Sequence, residues 1–177
     1  MPLSNYTATP GSIVATYEVE TAFPMETAVA LMAGEQSAGT FVRVAGETPE
    51  LLARHGAQVI RIEELDAPAR PSLPHAKRPT SEAPYRRARV TVRFPLENIG
   101  TALPNLFTMV AGNLFELDRF SGLRLLDLDL PAAFTDAQPG PQFGIAGTRR
   151  LVGVHDRPIL GTIIKPSTMP EVKRPSP

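Results

Sequence analysis

The sequence predicts an α+β fold, an antiparallel sheet with helices packed on one face. Two kinds of periodicity, and their order, predict it. Residues 13–19, 58–65 and 88–94 alternate apolar with polar side chains, the period of a half-buried strand. The stretches after Pro24 and Pro95 carry apolar residues at helical spacing. The order is strand, helix, strand, strand, strand, helix, strand. That is a ferredoxin-like pattern with one extra strand or hairpin.

Residues 1–12 form a polar arm containing Pro2, Pro10 and Gly11. In the first strand Ile13, Ala15, Tyr17 and Val19 share one face, with Thr16 and Glu18 on the other. Pro24 suits the first helical position. Met25, Ala28, Val29 and Met32 form the helical stripe, and Gly34 can end it in the left-handed conformation. Residues 40–44 fit a second strand, 48–55 a short helix and 58–65 a third strand. Residues 66–84 hold Pro68, Pro71, Pro74, Pro79 and Pro84 and read as a linker or long loop. Its His75, Lys77 and Arg78 suit a solvated surface, with a basic interaction patch as the alternative.

Ala88, Val90, Val92 and Phe94 then face away from Arg89, Thr91 and Arg93. Pro95 opens a helix striped by Leu96, Ile99, Leu103, Leu106, Phe107 and Val110, kinked at Pro104 and ended by Gly112 and Asn113. Residues 122–131 give another strand, with Leu126, Leu128 and Leu130 opposite Asp127 and Asp129. The main domain therefore spans 13–136. Residues 137–166 form a connector, with a short helix at 144–152, and then a strand at 158–166. Its apolar run of Ile159, Leu160, Ile163 and Ile164 suits a strand buried on both faces, as in a parallel barrel. The tail 167–177 has no core pattern.

Lys+Arg and Asp+Glu both number 18, so net charge gives no general reason to expect nucleic-acid binding. Without cysteine, neither a disulfide nor a thiolate metal site can form. No apolar stretch approaches the ~20 residues that span a bilayer. The start lacks the basic and then apolar pattern of a secretory signal. A cytoplasmic protein is expected, with neither nucleic-acid nor membrane partners.

Lys165 ends the apolar run, where a barrel strand places catalytic groups. A desolvated amine there can transfer protons or hold an oxyanion; the alternative is an ordinary surface lysine. The turn from Glu35 to Thr40 offers backbone amides and a hydroxyl to a phosphate, and Glu35 can pair with a lysine. The alternative is a loop that merely joins helix to strand. Asn113 can donate to a ligand oxygen or simply end a helix. His55, His75 and His155 lack paired spacing for metal ligation. Asp127 and Asp129 suit a solvent face more simply than a cation, and no P-loop or dinucleotide glycine motif is present.

Several segments resemble one family in order and spacing. GEQSAGTF at 34–41, LFTMVAGNLFEL at 106–117, GLRLLDLDLPAAF at 122–134, QPGPQFGI at 138–145 and PILGTIIKPS at 158–167 resemble successive stretches of the RuBisCO large subunit. The similarity covers roughly residues 13–168. It implies a ferredoxin-like amino-terminal domain followed by the first strand of a (β/α)8 barrel whose remainder is missing from this sequence. It also implies a homodimer or higher homo-oligomer, in which this domain covers a partner's barrel mouth, and a phosphorylated sugar-like substrate.

By that resemblance Glu35, Thr40 and Asn113 reach the partner's substrate region, with Thr40 near a phosphate. Lys165 serves proton transfer at an enolate. Phe41, Ile163 and Ser167 stand where carboxylases carry tryptophan, threonine and a second lysine. Losing that lysine removes a charge that carboxylation needs. The resemblance is therefore to RuBisCO-like proteins with enolase, isomerase, decarboxylase or related chemistry. The family's Mg2+ ligands, a carbamylated lysine and two carboxylates, lie further along the barrel and match nothing here. The sequence is accordingly expected to be truncated and inactive alone. A non-catalytic ferredoxin-like module, binding a small molecule or another subunit, is the alternative.

Overall fold

A computed structural model describes residues 10–39 and 45–161. The chain divides into two units, Met1–Gln138 and Pro139–Pro177. In the first unit, β1 (Ser12–Thr21), β2 (Gln58–Leu65), β3 (Arg86–Pro95) and β4 (Phe120–Asp129) pair antiparallel in the order β2-β3-β1-β4. This is the strand order of a ferredoxin-like sheet, and the expected α+β class holds. Its helices are α1 (Met25–Glu35), α2 (Pro49–His55), α3 (Leu96–Ile99), α4 (Leu103–Ala111) and α5 (Ala132–Thr135). A 3-10 turn covers Asn113–Glu116.

The alternation read in β1 and β3 becomes the core. Ile13, Ala15, Tyr17 and Val19 pair with Phe94, Val92, Val90 and Ala88, and all eight are buried. Met25, Ala28, Val29 and Met32 of α1 join them, with Leu106 and Val110 of α4, Leu114 of the turn and Phe134 of α5. Each large apolar side chain enclosed in this way contributes about 1.5–3 kcal/mol. The helices consequently cannot leave that face.

Several expectations need correction. β1 is not half-buried: Val14 is 2% and Thr16 1% exposed. It is an inner strand, so β3 and β4 shade its second face as well. α1 does not end on a left-handed Gly34 but continues to Glu35, and the Gly34 carbonyl accepts from the backbone N–H groups of Gln36 and Ser37. The long helix after Pro95 is two helices. Gly100, at φ 64°, ends α3, and Pro104 sits in the first turn of α4, where its missing N–H costs nothing. In β4 a register shift opposite Thr16 and Tyr17 changes the phase of the alternation. Leu123 and Leu125 therefore join Leu128 and Leu130 against the core, while Leu126 has no pairing partner.

The proline-rich stretch is largely exposed, yet it is pinned. Ser72 donates from its backbone N–H (2.8 Å) and its hydroxyl (3.1 Å) to the buried Glu20 carboxylate. Ser121 donates to the same group at 2.6 Å. The same sheet face also carries charged pairs, with Arg89 and Arg61 approaching Glu63 (3.7 and 3.2 Å) and Arg87 approaching Glu18 (3.9 Å).

The second unit contains α6 (Gly144–Val152), ended by a left-handed Gly153. The Arg149 guanidinium donates to the carbonyls of Val154 and Arg157. Residues 158–161, the described part of the expected strand 158–166, carry no regular structure. Among the described residues no strand offers a ladder to that apolar run. The expected strand 40–44 and residues 162–166 lie outside the described residues.

Candidate functional site

The carboxyl ends of α1 and α3, together with α4 from Asn105 in its first turn to its carboxyl end, line a cleft of about 530 Å³. Glu35, Gln36 and Ser37 form one wall; Asn98, Asn105, Thr108, Met109 and Asn113 form the other. Local rules place them there. α1 runs out at Glu35 because Gln36 turns the backbone, at φ −97° and ψ 7°, as its C-cap. α4 stops at Gly112, where a Cβ would collide with the Thr108 carbonyl oxygen. The chain can fold that closely only without a side chain, and Asn113 follows directly.

Most lining side chains are occupied. Ser37 donates to the Ala33 carbonyl (2.8 Å) and accepts from the Ala57 N–H (2.7 Å). Asn98 donates to the His55 carbonyl (2.7 Å), with its own oxygen 2.8 Å from His55 Nδ1. Asn105 donates to the Ile99 carbonyl and Thr108 to that of Pro104. Glu35 and Asn113 differ from them: no hydrogen bond or ion pair holds either side chain among the described residues. Among the described lining residues they are the two polar side chains without a partner.

The electrostatics select what that can be. Among the described residues lining the cleft, Glu35 is the one that is formally charged. Helix carboxyl ends also carry partial negative charge. The cleft thus favours a cation and hydroxyl groups over a free phosphate. Near the loop where phosphate binding was expected, the Gly39 N–H donates to the Glu47 carboxylate at 2.8 Å.

Of the residues singled out from sequence, Glu35 and Asn113 therefore come together on one cleft. Thr40, Phe41, Ile163, Lys165 and Ser167 lie outside the described residues. The described residues do not fit the Mg2+ that the resemblance implies, since they gather no group of three His, Asp or Glu. No helix among them is long and apolar enough to cross a membrane. Sequence reasoning missed Asn98, Asn105 and Gln36. Asn98 and Asn105 simply fell between apolar stripe positions. Gln36 stood beside Glu35 with nothing to show that it points inward.

Fold and cleft define the class: a ferredoxin-like α+β domain with an acidic, amide-lined cleft at its helix carboxyl ends. Residues 3–134 match the ribulose bisphosphate carboxylase large chain, N-terminal domain, and the chain belongs to that family. It is 52% identical over 88% of its length to a 3-oxo-isoapionate-4-phosphate transcarboxylase/hydrolase from Xanthobacter autotrophicus. It is 46% identical, also over 88%, to a 3-oxo-isoapionate-4-phosphate decarboxylase from Rhizobium rhizogenes. The chain spans 37% of the length of each of these two relatives. The crystal structure of a rubisco-like protein from Burkholderia fungorum aligns over 88% of this chain and 36% of that one, with 46% identity and a TM-score of 0.65. The expected likeness to RuBisCO-like proteins is borne out.

Proposed function

We propose that this chain supplies the amino-terminal half of a site shared between two chains, in an enzyme that cleaves the carboxyl group from a phosphorylated 3-oxo acid. The observation that carries it is the pairing of Glu35 and Asn113, unengaged, on a cleft whose described lining residues include no cation. Such a cleft is half of something. Exposed apolar side chains on the same helical segment, Leu103, Phe107 and Phe115, suit burial against another protein surface.

When a 3-oxo acid loses its carboxyl group, the C–C bond breaks and CO2 departs. The electron pair stays on the adjacent carbon and delocalises onto the 3-oxo oxygen as an enolate. A fixed donor at that oxygen lowers the barrier. Asn113 supplies the donor from this chain. Glu35 accepts the ammonium group of a lysine from the other half and holds it in place. The ammonium group of Lys165 from a neighbouring copy of the chain returns a proton to the enolate carbon. The likeness to a transcarboxylase/hydrolase and a decarboxylase favours this chemistry over enolisation alone.

The test combines the full chain with the portion of the Xanthobacter relative that it does not match, and follows CO2 release from 3-oxo-isoapionate 4-phosphate. Activity is expected. N113A should lower kcat about 100-fold, as loss of an oxyanion donor does. E35Q should lower it about tenfold or more through misplacement of its partner. An inactive combination, where the relative's own segment restores turnover, would contradict the proposal. Unchanged rates in both variants would point instead to a non-catalytic module.

A further inference from the structure

We infer that Gln36 is a positioning residue, which clamps the two walls of the cleft so that Glu35 and Asn113 keep a fixed separation. The inference rests on those two being the working residues. Gln36 is 9% exposed. With its amide in the orientation that satisfies its surroundings, Nε2 donates to the carbonyls of Thr108 (3.0 Å) and Met109 (2.9 Å), and Oε1 accepts from the Leu114 N–H (3.3 Å).

These partners are specific in kind. Thr108 and Met109 fall among the last four carbonyls of α4, which have no partner within the helix. Leu114 lies in the first turn of the 3-10 segment that begins at Asn113, where N–H groups are likewise unpaired. One amide thus answers open acceptors on one side of Asn113 and an open donor on the other. Gln36 is also the residue next to Glu35 and the C-cap of α1. Any rotation of the α4 end relative to α1 breaks all three bonds together.

Leucine and methionine keep the length of Gln36 and lose its polar atoms, so Q36L and Q36M separate hydrogen bonding from packing. The full chain has no native cysteine. Nitroxides on E35C/N113C therefore report the separation by dipolar electron resonance. A single narrow distance distribution is expected with Gln36 present and a broadened one in Q36L and Q36M. Leu114 amide exchange should rise about tenfold while that of Val90 and Val92 in β3 holds. An unchanged distribution in both variants overturns the inference. Should neither variant fold, the unmodified chain decides. Couplings across hydrogen bonds from the Gln36 side-chain amide to the Thr108 and Met109 carbonyls support the clamp, and their absence overturns it.

In the CO2-release assay, Q36L should lower kcat about tenfold with KM little changed. With both working residues already replaced, E35Q/Q36L/N113A should be no slower than E35Q/N113A. Additive losses would mark a structural role alone and overturn the positioning claim. If the unmodified combination shows no turnover, the enzymatic proposal fails while the distance measurement still judges the clamp.

Discussion

Tyr17 is wholly enclosed, and its hydroxyl donates to the Val110 carbonyl at 2.7 Å, in the last turn of α4. Burial pushes the phenol well above its ordinary range, so the group stays a neutral donor. Tyr17 therefore ties the central strand to the helix end that presents Asn113. Y17F leaves the Val110 carbonyl buried without this partner and should destabilise the chain by about 1–2 kcal/mol in urea unfolding at constant slope. No measurable loss would show that water or a relaxed helix takes over. Sequence showed Tyr17 as a core residue because its place in the alternation fixes which face it occupies. It did not show the hydroxyl's partner, because that contact joins residues far apart in the chain. The same holds for Gln36, whose three partners exist only once α1 and α4 are side by side. Glu35 and Asn113 were legible through the resemblance, and their common cleft was not.

Helix ends decide what the elements do. α4 can stop where it does because Gly112 lets the chain pass the Thr108 carbonyl. G112A forces backbone to move, and should cost about 2 kcal/mol or more while shifting the Asn113 resonances in nuclear magnetic resonance spectra. A neutral G112A would mean that the turn is softer than its close approach implies. α2 and α3 are joined by Arg54, whose guanidinium grips both carboxylate oxygens of Glu97 at 2.7–3.1 Å, and by the His55–Asn98 contacts. The bonds from Arg54 hold Glu97 below its ordinary carboxylate range. A lowered folded-state value means that this tie is present above the unfolded carboxylate range and is lost as pH falls through the folded value. Acid titration should therefore release the Arg54 Nε–H signal, and E97Q should remove that pH dependence. Both groups face solvent, so salt should weaken the tie. The break between α3 and α4 was hidden in sequence because the apolar stripe runs through it. Gly100 does not interrupt that spacing, and Pro104 looks alike inside a helix or at its start.

At the scale of the molecule, the ferredoxin-like sheet was readable because alternation and element order constrain each other. A strand with the period of β1 or β3 has few ways to bury one face beneath two helices. The β4 bulge escaped notice, since one inserted residue changes the phase of an alternation without changing its composition. The function proposed for the molecule depends on a feature larger than any element, the completion of the cleft by a second protein surface. Titration of the isotope-labelled full chain with the unmatched portion of the Xanthobacter relative tests this most directly. Saturable shift changes centred on Glu35, Gln36, Asn105, Thr108 and Asn113, extending to Phe107 and Phe115, are the predicted result. Absence of binding, or changes confined to the charged sheet face around Glu18, Arg87 and Arg89, would contradict it.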